Sequence, residues 1–149
     1  MSEDRLEPIV GEILIDAPLA HVWEVMTAEE SVKDWLGCIN YRREVGTTFH
    51  MQQDAGRRAR GVSEGATFCD VAALDPPHRF EFTWYVPGTP KTLVRISLTG
   101  QGPGRTLVRL VHEGWEQFPA AMVKPFHDQL KSGWSGGVLP NLKRVAETA

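Results

Sequence analysis

Val123-Lys124-Pro125-Phe126-His127-Asp128-Gln129-Leu130-Lys131-Ser132-Gly133-Trp134-Ser135-Gly136-Gly137-Val138-Leu139-Pro140-Asn141-Leu142-Lys143-Arg144-Val145 is the stretch whose reading decides the fold. Its large apolar residues Val123, Phe126, Leu130, Trp134, Val138, Leu142 and Val145 follow one another at steps of 3, 4, 4, 4, 4 and 3. The mean step, about 3.7 residues, is the α-helical period. A long amphipathic helix is therefore expected, with a stripe long enough to lie across a whole sheet. Pro140 sits inside it without an N–H to give and must disturb the turn before it, where Gly136 and Gly137 relieve the clash.

Upstream of this helix the apolar period is two. Phe49 and Met51 alternate with Thr48, His50 and Gln52 over Thr47 to Gln53. Ala66 to Leu74 reads as a strand that ends at Asp75-Pro76-Pro77, which cannot continue a ladder. Phe80, Phe82 and Trp84 oppose Glu81, Thr83 and Tyr85. Val94, Ile96 and Leu98 share a face of the next strand, as do Val108, Leu110 and His112 of the last. This is an antiparallel meander with one apolar side. Asp54-Ala55-Gly56 is read as the turn of a hairpin. At the other end, Ile9 to Ile15 is a β-branched strand running into Asp16-Ala17-Pro18, with Asp16 expected to cap the helix that carries Leu19, Val22, Trp23 and Met26. A second short helix is expected over Ser31 to Leu36, with Val32, Trp35 and Leu36 inward.

Composition bounds the function. The chain has 149 residues, 42% hydrophobic and 23% charged, as an ordinary globular domain does; no repeat or linker divides it, so one domain over 1–149 is expected. Its net charge of −3 supplies no footprint for nucleic acid or an anionic membrane. Cys38 and Cys69 stand in no metal or redox spacing and read as free thiols. The opening Met1-Ser2-Glu3-Asp4-Arg5 is acidic, no signal-type apolar run follows it, and no window approaches the roughly 18 apolar residues of a membrane span. The expectation is a cytoplasmic protein without a membrane segment.

The order strand, two short helices, antiparallel meander, long closing helix resembles the α+β helix-grip fold of the START-like (SRPBCC) superfamily. Local motifs narrow the resemblance: Ala17-Pro18 with Val22-Trp23, Thr27 and Trp35; Val45-Gly46-Thr47-Thr48-Phe49; Asp75-Pro76-Pro77-His78-Arg79-Phe80; Thr83-Trp84; His112-Glu113-Gly114; Gly133-Trp134; and Leu139 with Leu142-Lys143. Together they resemble the family of homologues of the activator of heat-shock protein 90 ATPase, with Thr47 where most relatives carry a second glycine. The resemblance implies a curved antiparallel sheet wrapped around the C-terminal helix, with a cavity between them.

Candidate chemistry is sparse. Gly133-Trp134-Ser135-Gly136-Gly137 matches the G-x-S-x-G pattern, yet that motif requires a strand-to-helix turn of an α/β sheet. Ser135 falls inside a helix here and is not read as a nucleophile. The five histidines form no metal-ligand spacing, so no metal and no cofactor are expected. His112 lies on the apolar face, either as a neutral group meeting a ligand or as a hydrogen-bonded core histidine. Arg57-Arg58-Ala59-Arg60 and Arg42-Arg43 form no common patch if a strand runs between them. Ten residues of strand at about 3.3 Å each would separate them by roughly 30 Å.

The aromatics carry the functional reading. Trp35, Phe49, Phe82, Trp84 and Trp134 come from different elements and all fall on inward faces. They serve either as plain core or, with His112 and Val138, as the wall of a pocket. The expected function is thus binding of a small hydrophobic molecule, with a carbonyl or hydroxyl of it meeting His112 or Tyr85 and with no catalytic residue. A cyclase- or hydrolase-type enzyme is the alternative, with His112, Asp70 or Glu113 as its acid or base. A chaperone or a second copy of the chain is the remaining partner to consider.

Overall fold

The computed structural model describes residues 6–52 and 54–148; the acidic opening Met1 to Arg5, and Gln53 at the end of the strand expected over Thr47 to Gln53, lie outside the described residues. In chain order the elements are β1 (Ile9–Ile15), α1 (Leu19–Thr27), α2 (Glu29–Leu36), β2 (Cys38–Ile39), β3 (Thr48–Met51), α3 (Ala55–Ala59), β4 (Thr67–Asp75), β5 (Arg79–Trp84), β6 (Thr92–Gly100), β7 (Thr106–Glu113), α4 (Ala120–Gly133) and α5 (Leu139–Thr148). A 3-10 turn, Trp115–Gln117, precedes α4, and a π-helical turn, Trp134–Val138, joins α4 to α5.

The strands form a curled, antiparallel, seven-stranded sheet in the order β1-β7-β6-β5-β4-β3-β2. Alternation decides its faces. Val94, Ile96 and Leu98 on β6 and Val108, Leu110 and His112 on β7 are each at most 1% exposed, so every second residue enters the core. Between Val71 and Ala73 the register of β4 on β5 shifts by one residue. Such a bulge adds local twist and helps bend a sheet around a helix. The long C-terminal helix lies on the concave side. This is the helix-grip arrangement, α+β, expected from the sequence.

Gly11 makes that grip close. A β-carbon built on it would stand 3.0 Å from Leu139 Cδ1 and 3.0 Å from Ser135 Oγ. A larger residue at this position would crowd the closing helix and force the Leu139 or Ser135 side chain to give way. At the other end of the helix, Asn141 Nδ2 donates to the Asp34 and Trp35 carbonyls at 3.0 and 3.2 Å. These are end carbonyls of α2 that its own helix leaves unpaired.

Four expectations are corrected. Asp54-Ala55-Gly56 does not turn a hairpin: it opens the short helix α3, and Asp54 Oδ1 accepts from Arg57 N at 2.9 Å. An Asp followed by a permissive turn satisfies helix-capping geometry as well as hairpin geometry. Residues 40–47 are irregular, so the strand between Arg42 and Arg57 is the four-residue β3 and not a run of ten. Asp16 makes no side-chain cap to α1; Pro18 holds the cap position and Asp16 pairs with Arg105 instead. Helix α2 starts at Glu29, earlier than Ser31.

The fourth correction concerns the stripe of the closing helix. Phe126 is 58% exposed, Val138 is half-buried, and Leu139, outside the stripe, is buried. Pro140 and the two glycines cause it. The turn before Pro140 widens, and Leu139 N donates to Trp134 O, five residues back. The inward series therefore runs Val123, His127, Trp134, Leu139, Leu142, Ala146, with a five-residue step where a regular helix takes four. One extra residue turns a helix face by about 100°.

Candidate functional site

At one end of the sheet the last residues of β5 and β7 and the first of β6 meet the two turns that flank α4. Gly114, at φ 104°, lies in the left-handed region and directs the chain from β7 into the 3-10 turn that buries Trp115. The widened turn buries Trp134 from the opposite side. His112 is caught between them, with ring centroids 4.7 Å from Trp115 and 5.9 Å from Trp134.

Its hydrogen bonds assign its protons. Trp134 Nε1, which can only donate, meets His112 Nδ1 at 3.1 Å. Nδ1 therefore accepts, and Nε2 carries the proton toward Thr92 Oγ1 at 2.7 Å. Thr92 in turn donates to the Trp84 carbonyl at 2.6 Å. Trp115 Nε1 closes the cluster on the His112 carbonyl at 3.0 Å. Burial, with a smaller contribution from nearby His127, lowers the His112 pKa to about 3. The imidazole is neutral and both its nitrogens are occupied by protein.

Beside this cluster open two clefts between α4 and the β3–β4–β5 end of the sheet. One, of about 280 Å³, is bounded by Trp84, Thr92, Trp115, Phe118, Met122 and Val123, with the loop after β5 on its flank. The other, of about 310 Å³, is bounded by Met51, Thr67, Gln129, Leu130, Trp134 and Val138. Trp84, Val86 and Phe126 belong to both, so they form two lobes of one apolar surface. Among the described residues no carboxylate, imidazole, ammonium or guanidinium lines either lobe.

The structure thus divides the residues singled out from the sequence. Trp84, Trp134 and Val138 come together on the second lobe. His112 lies behind Trp84, at 5.4 Å between rings, and lines neither lobe. Phe49 and Phe82, 5.4 Å apart, pack with Tyr41 and Phe80 in an aromatic cluster on the inner face of the sheet. Trp35 is 1% exposed and donates to the Met26 carbonyl at 3.2 Å. These three border neither lobe. Trp115, Phe118, Met122, Phe126, Thr67 and Gln129 do, and the sequence reading missed them. The aromatic spacing Trp115-x-x-Phe118, just before the closing helix, was the available signal.

The other acid–base candidates lie elsewhere. Asp70 accepts from Thr48 Oγ1 and Tyr85 Oη and pairs with Lys91 at 2.9 Å. Burial raises its pKa, but the hydrogen bonds from Lys91 and Thr48 outweigh this and hold it below the usual value. Glu113 pairs with Arg95 at 2.9 Å. Ser135 is exposed in the widened turn. A third opening, about 750 Å³, lies between α2 and α3 and is bordered by Glu29, Lys33, Asp34 and Arg58, charges of both signs. Cys38 borders it too, but burial pushes its thiol up to about 12, far from a thiolate nucleophile. Among the described residues no three His, Cys, Asp or Glu side chains converge as a metal site would need, and no helix is long and apolar enough to cross a membrane.

Comparison with known proteins places this arrangement. The solution structure of Bacillus halodurans protein BH1534 superposes with a TM-score of 0.74 at 26% identity, covering 97% of this chain and 99% of that one. The crystal structure of MLL2253 from Mesorhizobium loti gives 0.72 at 22% identity over 95% of each chain. The Aha1 dimer from Colwellia psychrerythraea gives 0.71 at 19% identity, covering 95% of this chain and 97% of that one. No functionally curated protein matches significantly. Residues 16–146 match the family described as activator of Hsp90 ATPase homolog 1-like protein, and the chain belongs to that family.

Proposed function

We propose that this protein binds a small hydrophobic molecule in the two-lobed cleft under α4, and that it does so in the cytoplasm. The observation that carries this reading is the pair of apolar lobes of about 280 and 310 Å³ sharing Trp84, Val86 and Phe126. Together they fall within the size range in which clefts hold small ligands. Large aromatic rings flank them on both sides, and Phe126 and Met122 remain 58% and 65% exposed at the rim. Exposed residues of this size mark a surface that meets something apolar. Both cysteines are free thiols, as suits a reducing compartment.

Binding is favoured over turnover by the chemistry of the walls. Acid–base catalysis needs a titratable group in reach of the substrate, and the lobes present none besides the Tyr85 phenol. A role on a 90-kDa heat-shock chaperone rests on the family description; pull-down with that chaperone tests it. Self-association is a further reading, favoured by the exposed rim and by the Colwellia relative having been solved as a dimer; sedimentation at several concentrations tests that.

Titration with the neutral, solvatochromic dye Nile red tests the binding reading. Saturable one-site binding is expected, weakened roughly tenfold or more in Phe126→Ser, which removes a large apolar contact from both lobes. Unsaturable binding, or equal affinity in the variant, overturns it. Native mass spectrometry of protein purified from its own host then gives the mass of the resident ligand.

A further inference from the structure

The two lobes differ in what their polar atoms are free to do. In the first lobe every polar side chain but Trp84, which belongs to both, is already committed. Thr92 Oγ1 lies between His112 Nε2 and the Trp84 carbonyl; Thr89 Oγ1 donates to the Val86 carbonyl at 2.7 Å; Tyr85 Oη donates to Asp70 at 3.2 Å; Trp115 Nε1 donates to the His112 carbonyl. A ligand there meets hydrocarbon and ring faces. In the second lobe, Thr67 and Gln129 make no side-chain hydrogen bond to a described residue. Trp84 Nε1, on the wall between the lobes, also lacks a partner there. Because no buried side-chain nitrogen or oxygen is left unpaired among the described residues, that N–H opens to solvent. The second lobe therefore offers a hydroxyl, a carboxamide and, at its boundary, an indole N–H.

What it lacks is charge. The nearest lysine on the flanking loop, Lys91, is held by Asp70 at 2.9 Å over the ring of Tyr85 and lines neither lobe. Lys124 on α4 is held by Asp128 at 2.8 Å. An ionised ligand would find no counter-charge in the lining to replace whatever hydration it lost on entering the cleft.

Resting on the binding reading above, we infer that the ligand is an uncharged, elongated amphiphile, its apolar end in the first lobe and a neutral hydrogen-bonding group, such as an amide, ester or alcohol, in the lobe of Thr67 and Gln129. The cleft selects against the corresponding carboxylate. Trp84 is the ring over which the chain passes from one lobe to the other.

Calorimetric titration of the full chain near pH 8 with dodecanamide, dodecanol and dodecanoate tests this, with Nile red as the reference probe. The amide and the alcohol should bind at least about tenfold more tightly than the carboxylate. Gln129→Lys, a change at an exposed helix position, should bring a cation to the second lobe and raise dodecanoate affinity by a similar factor. Equal or tighter binding of dodecanoate to the unaltered chain overturns the inference and leaves the binding reading standing. So does binding of Nile red with none of the three amphiphiles. Failure of all four probes overturns the binding reading itself.

Discussion

Helix α4 has 14 residues and buries Val123 and His127, while α5 has 10 and buries Leu139, Leu142 and Ala146. The shorter half is the better anchored. It packs on β1, α1 and α2, its Asn141 holds the end of α2, Lys143 Nζ donates to the Leu14 carbonyl, and its Ala146 carbonyl meets His21 Nε2 at 2.8 Å. The longer half touches β1 and the 3-10 turn, with His127 Nε2 donating to the Glu7 carbonyl at 2.7 Å as its main polar tie. One helical stretch is thus divided between two tasks. Its second half completes the core; its first half leaves Met122 and Phe126 partly uncovered beside the cleft. The widened turn at Trp134–Val138 is where the tasks change over.

Truncation on the two halves should separate them most strongly. Leu142→Ala, at a fully buried position, is expected to cost about 2–5 kcal/mol in urea unfolding, whereas Phe126→Ala, 58% exposed, should cost well under half of that. Comparable losses at the two sites would erase the distinction between them.

The junction comes next. Trp134→Phe keeps an aromatic ring, though a smaller one, and removes the donor to His112 Nδ1, leaving a buried acceptor unpaired at a cost of about 1–3 kcal/mol. Retained stability would show that the hydrogen bond does not hold the two halves at this point.

Acid should probe the same junction. His112 is neutral in the folded chain, with its pKa lowered to about 3, against roughly 6.5 for a free imidazole. The unfolded chain therefore binds a proton first, and stability falls as pH drops from 6.5 toward 3. The loss from this group should reach about 2 kcal/mol by pH 5. Unfolding free energies at pH 7.5 and 5, compared between the native chain and His112→Gln, check this. The variant should show a smaller pH dependence, and an unchanged one would remove His112 as its source.

The smallest effect is a gain. Nothing stands within 4 Å of a β-carbon built on Gly136, and the residue has no positive φ to protect. Gly136→Ala should stabilise by up to about 1 kcal/mol through helix propensity. A loss would mean that the widened turn depends on glycine for its shape.

Much of this was legible in the chain itself. Alternation placed Phe80, Phe82, Val94, Ile96, Leu98, Val108, Leu110 and His112 inward, and each is at most 1% exposed. The period-two rule reads correctly along strands because the sheet covers one face throughout. The change of period at Val123 announced the closing helix, and Pro140 with Gly136 and Gly137 announced the disturbed turn. Asp54-Ala55-Gly56 was not decidable, since a capped helix and a hairpin turn ask for the same residue types.

What tertiary structure alone decided is which residues line a space and which fill it. Phe49, Phe82, Trp84 and Trp134 share one inward pattern, yet two sit in a packed aromatic cluster and two border a lobe. Periodicity reports direction from the backbone; whether a ring meets another ring or an opening depends on how far helix and sheet stand apart at that level. The same limit applies to phase. A strict helical count carries Phe126 and Val138 inward, and one additional residue in the turn at Trp134 gives the buried place to Leu139. The sequence determined that the helix had to deform before Pro140. The packing of Trp134 on His112 and of Leu139 against Gly11 determined the phase in which it resumed, because only a wider turn lets both reach the core.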